Sequence, residues 1–227
     1  MIISNLFYLL MPLTIFLAFM WAPPAEILGE ASRIIYFHVP LAWVSTLAFF
    51  ISGILSVVYL CDKEKKYRLI EEKANNSACI GIAFTILTIV TGSIWSKISW
   101  GAYWNWDPRQ TSIIVLLLIY LAYFSLRTAL AGNPSKGKLT SSYLILAMIT
   151  VPFLILVIPR VYLSLHPDPI INANIKIHLD EKMKITLLAG SISFTFLFFY
   201  IFSLANRVSR INQRIEENFD KKSKENN

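Results

Sequence analysis

LAWVSTLAFFISGILSVVYLC, residues 41–61, contains no charged side chain in twenty-one consecutive positions. Wound as an α-helix at about 1.5 Å per residue, a run of this length crosses the roughly 30 Å of hydrocarbon in a bilayer. A helix is also the arrangement that satisfies every backbone N–H and C=O within one segment, which lipid requires. Moving outward along the chain, five further runs of the same kind occur, at approximately 4–21, 77–96, 111–130, 140–159 and 185–204. The fold class that follows is an all-α integral membrane protein, with about six transmembrane helices in a bundle.

Composition agrees. Of the 227 residues 56% are hydrophobic and only 15% charged, and the mean hydropathy is +0.56, so the spans use nearly the whole chain and leave no separate soluble domain. The net charge of +7 would point to nucleic acid in a soluble protein. Here the Lys and Arg residues sit beside apolar runs, which is the pattern of membrane topology, and the partner they imply is the lipid bilayer, with no nucleic acid. The first run, Met1 to Trp21, lacks a basic leading segment and is long for the apolar part of a signal peptide, so a retained helix is expected. Cys61 and Cys79 fall at span ends on the cytoplasmic side, where disulfides do not persist; with no C-x-x-C pair they read as small apolar packing residues.

Orientation follows from the basic residues. Lys63, Lys65, Lys66, Arg68, Lys73, Arg127, Lys136, Lys138, Arg207, Arg210, Arg214, Lys221, Lys222 and Lys224 fall on one side, fourteen in all. Arg33, Lys97, Arg109, Arg160, Lys176, Lys182 and Lys184 make seven on the other. The richer side is cytoplasmic. Both termini are therefore expected in the cytoplasm. A membrane domain spans 1–205, with outward loops 22–40, 97–110 and 160–184, and a charged cytoplasmic tail occupies 206–227. That tail is expected to extend the last helix a turn or two and then fray. Gly81, Thr85, Thr88 and Gly92 recur at helical spacing and should let neighbouring helices approach closely. Pro152 should bend the fifth helix and Pro159 should help to end it.

The spans hold almost no ionisable residue away from their ends, which argues against a proton- or ion-coupled transporter. No P-loop motif occurs, so the chain does not hydrolyse ATP by that route. Chemistry concentrates instead in Trp95–Thr111, W-S-K-I-S-W-G-A-Y-W-N-W-D-P-R-Q-T, which holds four of the six tryptophans together with Tyr103. An interfacial aromatic belt needs only a ring or two per helix end. A dense aromatic loop punctuated by Gly101 and Asp107-Pro108 reads better as a shelf suited to a flat, apolar ligand. Asp107 can cap the fourth helix with Pro108 in its first turn, and Arg109 can meet an anionic edge of the ligand. His38 and His166 flank this loop from the same side, as a pair of axial ligands for a haem iron would. His178, among Lys176, Asp180 and Glu181, ranks third as an ordinary solvated position.

These segments resemble a known family. W-G-A-Y-W-N-W-D-P-R at 100–109 resembles the tryptophan-rich WWD signature of the haem-handling proteins of c-type cytochrome biogenesis. R-I-I-Y-F-H-V-P at 33–40 is similar to the segment of the CcmC (cytochrome c maturation protein C) family that carries its first haem-ligating histidine, and L-H at 165–166 stands where that family has its second. The span number and length match as well. The resemblance implies a haem-binding component of an ABC-type haem export complex in the inner membrane, not an enzyme in its own right. It implies haem b bound as cargo on the periplasmic face, with His38 and His166 as axial ligands and Trp100, Gly101, Tyr103, Trp104, Trp106, Asp107 and Arg109 around it. The partners it implies are a periplasmic haem chaperone, an ATP-binding-cassette subunit, a membrane permease subunit and a small single-span subunit. Arg33, Arg109 and Arg160 are all candidates to meet the propionates. Asn105 and Pro108 depart toward the related cytochrome c synthases, so the alternative is a haem–apocytochrome c ligase. Those proteins are longer and carry a further membrane histidine pair, which this chain lacks. A solute permease would need polar groups at mid-membrane, and a purely structural subunit would leave the aromatic loop without a purpose.

Overall fold

The computed structural model describes residues 2–62, 68–166 and 179–225. Seven α-helices, and no named strand, occur among them. α1 (Ile2–Phe16) ends in a wide π-turn, Leu17–Trp21. A 3₁₀ turn, Glu30–Ile34, runs directly into α2 (Ile35–Cys61). α3 (Arg68–Trp100) and α4 (Pro108–Ala129) follow, then α5 (Lys136–Pro152). A second π-turn (Phe153–Val157) leads to the short α6 (Ile158–Val161), and α7 (Glu181–Glu225) closes the chain. Among the described residues five helices are long and apolar enough to cross a membrane, and a further apolar helix, Leu6–Trp21, is shorter. The chain is a multi-pass, all-α membrane protein.

α2 is the central helix, packed on α3, α5 and α7, while α4 closes the far side against α3 and α5. Lipid tails are as apolar as leucine, so small residues and interhelical hydrogen bonds, more than apolar burial, draw such helices together. The α2–α3 seam shows both. The Ser52 hydroxyl donates to the Ala74 carbonyl (2.8 Å) and the Ser77 hydroxyl to the Ala48 carbonyl (2.7 Å), one bond in each direction across the seam. Gly81 lies under Phe49, where a Cβ would stand 2.5 Å from the ring, and that ring stacks on Tyr120 of α4 with centroids 3.6 Å apart. Thr14 and Ser193 join α1 to α7 at 2.7 Å, both buried.

Proline and its partners set the local departures. Pro40 lies inside α2 and cannot bond the carbonyl of Tyr36 four residues back. α7 comes close at that point, so that a Cβ on Gly190 would stand 2.7 Å from this oxygen. Pro152 ends the regular part of α5 and is followed by the π-turn, and Pro159 lies in the final turn before the chain leaves helix at Tyr162, as the sequence predicts.

Two boundaries differ from the sequence reading. α2 is helical from Ile35, so His38 stands in a helix and not in a loop. α7 continues to Glu225 instead of fraying after a turn or two; its last stretch has neither Gly nor Pro and is rich in the good helix formers Arg, Gln, Glu and Lys. Cys61 and Cys79 are free, as expected, but both lie exposed at the surface and not packed inside.

Candidate functional site

His38 is seated by α3. Its ring lies against Gly92, where a Cβ would approach Cε1 to 2.8 Å. Its Nδ1 stands 2.9 Å from the Thr91 hydroxyl. That hydroxyl spends its proton on the Leu87 carbonyl (2.8 Å), as helical threonines do, and so meets His38 as an acceptor. The His38 proton therefore belongs on Nδ1, leaving the Nε2 lone pair for a metal. The small-residue stripe on α3 thus does more than pack helices: its last member makes room for an imidazole.

His166 reaches the same proton arrangement by other means. Its Nδ1 donates to Asp107 Oδ1 at 2.9 Å. The Asp107 side chain is wholly buried and accepts three further bonds, from the Arg109 N–H (2.9 Å), the Leu165 N–H (2.7 Å) and the Ser164 hydroxyl (2.9 Å). With about four acceptor sites on a carboxylate, the group is saturated. Burial alone would raise the Asp107 carboxyl, but these donors and His166 together hold it below the usual carboxylate range, so it stays anionic. Burial pushes His166 below the usual imidazole value against the opposing pull of Asp107, with Arg109 adding to the lowering. His166 is accordingly neutral, with its proton fixed on Nδ1. A histidine whose second nitrogen is held by a carboxylate is the usual form of a metal ligand.

The aromatic loop divides into two tiers. Trp95 stacks on the His166 ring (centroids 5.6 Å apart, 29° between planes), and Trp100 meets the same ring edge-on at 4.8 Å. Trp104 and Trp106 meet each other edge-on at 5.9 Å, and Trp106 is 78% exposed. Tyr103 is exposed with the Lys97 ammonium over its ring. Trp106 holds a φ of 56°, a conformation that costs a bulky residue on the order of 1–3 kcal/mol and clusters at ligand sites. Gly101, at φ 81°, ends α3, its N–H donating to the Lys97 carbonyl (3.1 Å). Asn105 ties the loop inward, its amide donating to Ser96 (2.7 Å) and its backbone N–H to the buried Gln110 (2.9 Å). Asp107 caps α4 with Pro108 in its first turn, as the sequence predicts.

The structure brings together His166, Asp107, Trp100 and Arg109 at the head of α4, and His166 lies within electrostatic reach of His38. Trp106, Tyr103 and Gly101 form the adjoining exposed rim, with Trp104 half-buried beside Trp106. Arg33 is drawn elsewhere: its guanidinium pairs with Glu30 and donates to the carbonyls of Ala18 and Ala22 at the end of α1. Arg160 donates to its own helix at the Leu156 carbonyl (2.6 Å). His178 lies outside the described residues. The sequence pattern assigned Gly92 only a packing role, counted Trp95 only among the rings of the aromatic loop, and did not single out Thr91 or Ser164. The signal for the first three was helical spacing, since Gly92 and Trp95 are one turn apart at the outer end of the stripe. For Ser164 it was the S-x-H spacing, which lets the hydroxyl accept the His166 N–H (3.2 Å). Among the described residues no cluster of three His, Cys, Asp or Glu side chains is placed to hold a bare metal ion. A porphyrin, which brings four nitrogens of its own, needs only two protein ligands.

The chain is similar to known proteins. The sequence profile of the family described as "Heme exporter protein C" matches residues 1–221. A "Putative cytochrome c biosynthesis ccmC-like mitochondrial protein" of Marchantia polymorpha is 34% identical over 183 residues, covering 80% of this chain and 76% of the relative. "Heme exporter protein C" of Bradyrhizobium diazoefficiens is 32% identical over 188 residues, covering 82% and 70% respectively. The Escherichia coli protein of the same name is 32% identical over 136 residues, covering 60% of this chain and 54% of its own length. The chain belongs to the CcmC, or haem exporter protein C, family.

Proposed function

We propose that this protein holds haem at the outer end of its helix bundle and gives it up to a carrier for c-type cytochrome assembly. The observation that carries the reading is the matched pair of imidazoles, each with Nδ1 committed to an acceptor and Nε2 left with its lone pair. Haem iron ligated by both would have no open position for oxygen chemistry, which fits storage and handover better than catalysis. When bound, haem supplies only the iron that the two imidazoles hold. The chain's own groups do the rest: the tryptophans cover apolar porphyrin surface, and Arg109, beside His166, meets a propionate. Its place beside His166 favours Arg109 for that role.

The excess of basic residues on the opposite side supports an orientation with both termini and the 206–227 tail in the cytoplasm and the site facing the periplasm. The family's name supports work in an inner-membrane complex. Its members would be the ATP-binding-cassette subunit, the permease subunit and the single-span subunit, with a periplasmic chaperone as the receiver. A ligase reading would need a binding groove for a C-x-x-C-H peptide, and no feature of the described residues favours it.

The test is the absorption spectrum of detergent-purified protein, oxidised and reduced, for the wild type and for His38→Ala and His166→Ala. A low-spin bis-histidine spectrum that either substitution weakens or alters is expected. Wild-type protein that carries no haem, and takes up none when haem is supplied, would sink the proposal. Loss of haem in His178→Ala but not in His166→Ala would move the second ligand.

A further inference from the structure

At the end of α3 remote from the histidines, α3 and α7 border an open groove of about 320 Å³, lined by Lys73, Phe199, Phe202, Asn206, Arg207 and Arg210 among others. Its lining is ordered along the helix axes. Phe199 and Phe202 belong to the apolar run 185–204, whereas Arg207 and Arg210 lie beyond it and Lys73 lies just before the run 77–96. The wall is therefore apolar at the depth of hydrocarbon and cationic at the depth of headgroups. Beside it, the Asn76 amide donates to Asn206 Oδ1 (3.0 Å) and to the Ser209 hydroxyl (2.9 Å), which fixes α3 against α7 and gives the groove a defined width.

Among the described residues none of Lys73, Arg207 and Arg210 makes an ion pair or a side-chain hydrogen bond. The acids at this end of α3, Glu71 and Glu72, are both taken by Arg127 of α4. Like charges gathered on one groove repel, and the repulsion is relieved by an anion that the chain does not supply. A small soluble anion would use the cations and ignore the phenylalanines. An amphiphile with an anionic head uses both, and basic pockets between membrane helices on the cytoplasmic side are known to take such headgroups.

We propose that this groove binds an anionic phospholipid, its phosphate between Lys73, Arg207 and Arg210 and an acyl chain along Phe199 and Phe202. The site does not depend on the haem reading, since it lies at the other end of the bundle. Removal of all three cations should weaken retention on the order of a hundredfold, from about fivefold for each cation near a lipid surface.

The experiment places the full-length protein in nanodiscs of phosphatidylcholine with or without phosphatidylglycerol, releases it into detergent, and counts retained lipid by native mass spectrometry. Wild-type protein should keep phosphatidylglycerol in preference to phosphatidylcholine. The triple variant Lys73→Gln, Arg207→Gln, Arg210→Gln should lose that preference. Phe199→Ala with Phe202→Ala should lose part of it with every charge in place. If the triple variant is not monodisperse, Arg210→Gln alone carries the test, with the single-cation loss expected. Equal retention of the two lipids by the wild type, or unchanged preference in the charge variants, would overturn the proposal. Displacement of the lipid by millimolar inorganic phosphate would overturn the role of the phenylalanines and make this a site for free anions.

Discussion

The two histidines arrive at one chemical state from opposite kinds of surroundings. His38 stands in a helix, against the only side of α3 that has no Cβ at that level, with a threonine hydroxyl as its acceptor. His166 stands in a loop, held by a buried carboxylate that also gathers two backbone N–H groups and a serine. One seat is made by shape and the other by charge. A handover site has reason to differ in this way, because a ligand fixed in a packed helix stays while a ligand on a loop, held by a carboxylate and two ring contacts, is the one that can leave. The difference predicts unequal responses to mutation at the two seats.

The largest effect should come from filling the space behind His38. A Cβ at position 92 would already press on the ring at 2.8 Å, so Gly92→Leu should drive the imidazole out and lower haem content by about a hundredfold or more, beyond the usual cost of losing a supporting residue. Gly81→Leu is the matched control. There the Cβ would meet Phe49 at 2.5 Å, in the core and away from both histidines, so thermal stability should fall while whatever folds keeps its spectrum. Full haem occupancy in Gly92→Leu would show that His38 does not need this seat.

The sequence disclosed the fold because each span announces itself by length and lack of charge, and it disclosed the histidines and tryptophans because their types are rare and their chemistry is specific. It did not disclose the seats. Thr91 and Gly92 carry no chemical signature, and only the packing of α2 on α3 brings them to His38. Trp95 was visible as one ring among several, but its place on the last turns of α3, under His166 instead of in the exposed rim, depends on where that helix ends. Asp107 was legible as a helix cap; its second duty requires residues 164–166 to return to it across more than fifty positions of chain. Local pattern shows the cap, and only tertiary structure shows the clamp.

Next in size is Asp107. Asp107→Asn keeps an acceptor for the Arg109 N–H and so keeps the cap, but it removes the charge that holds His166, Ser164 and Leu165. Haem affinity should drop about 10–100-fold. Asp107→Ala removes the cap as well and should also lower stability by about 1 kcal/mol. Titration with haem and thermal melts of the two variants separate the effects, and equal affinities for Asp107→Asn and wild type would mean that shape, not charge, also governs the second seat. Thr91→Val is the counterpart at the first seat. It preserves volume and removes one neutral acceptor, worth about 0.5–1.5 kcal/mol, so a loss of roughly tenfold or less is expected, and Thr91→Ser should restore it. A loss as large as that of Asp107→Asn would erase the distinction between the seats.

The smallest effect is the most diagnostic, because its two parts have opposite signs. Iron binds the neutral imidazole, and His166 is held below the ordinary value of 6.5. Haem affinity should therefore be level above that pH and decline only as the pH falls through the lowered value, where protons begin to compete for Nε2. Asp107 is held below its own ordinary value of 3.8 by the donors around it. Its charge favours the imidazolium, so Asp107→Asn lowers the His166 pKa further and should carry the acid limb to still lower pH, even as it weakens binding at neutrality. Haem titrations of wild type and Asp107→Asn across the acid range read both parts at once. An acid limb that stayed in place in Asp107→Asn would show that His166 is not the group being titrated, and one that moved upward would show that the carboxylate does not act on His166 through its charge.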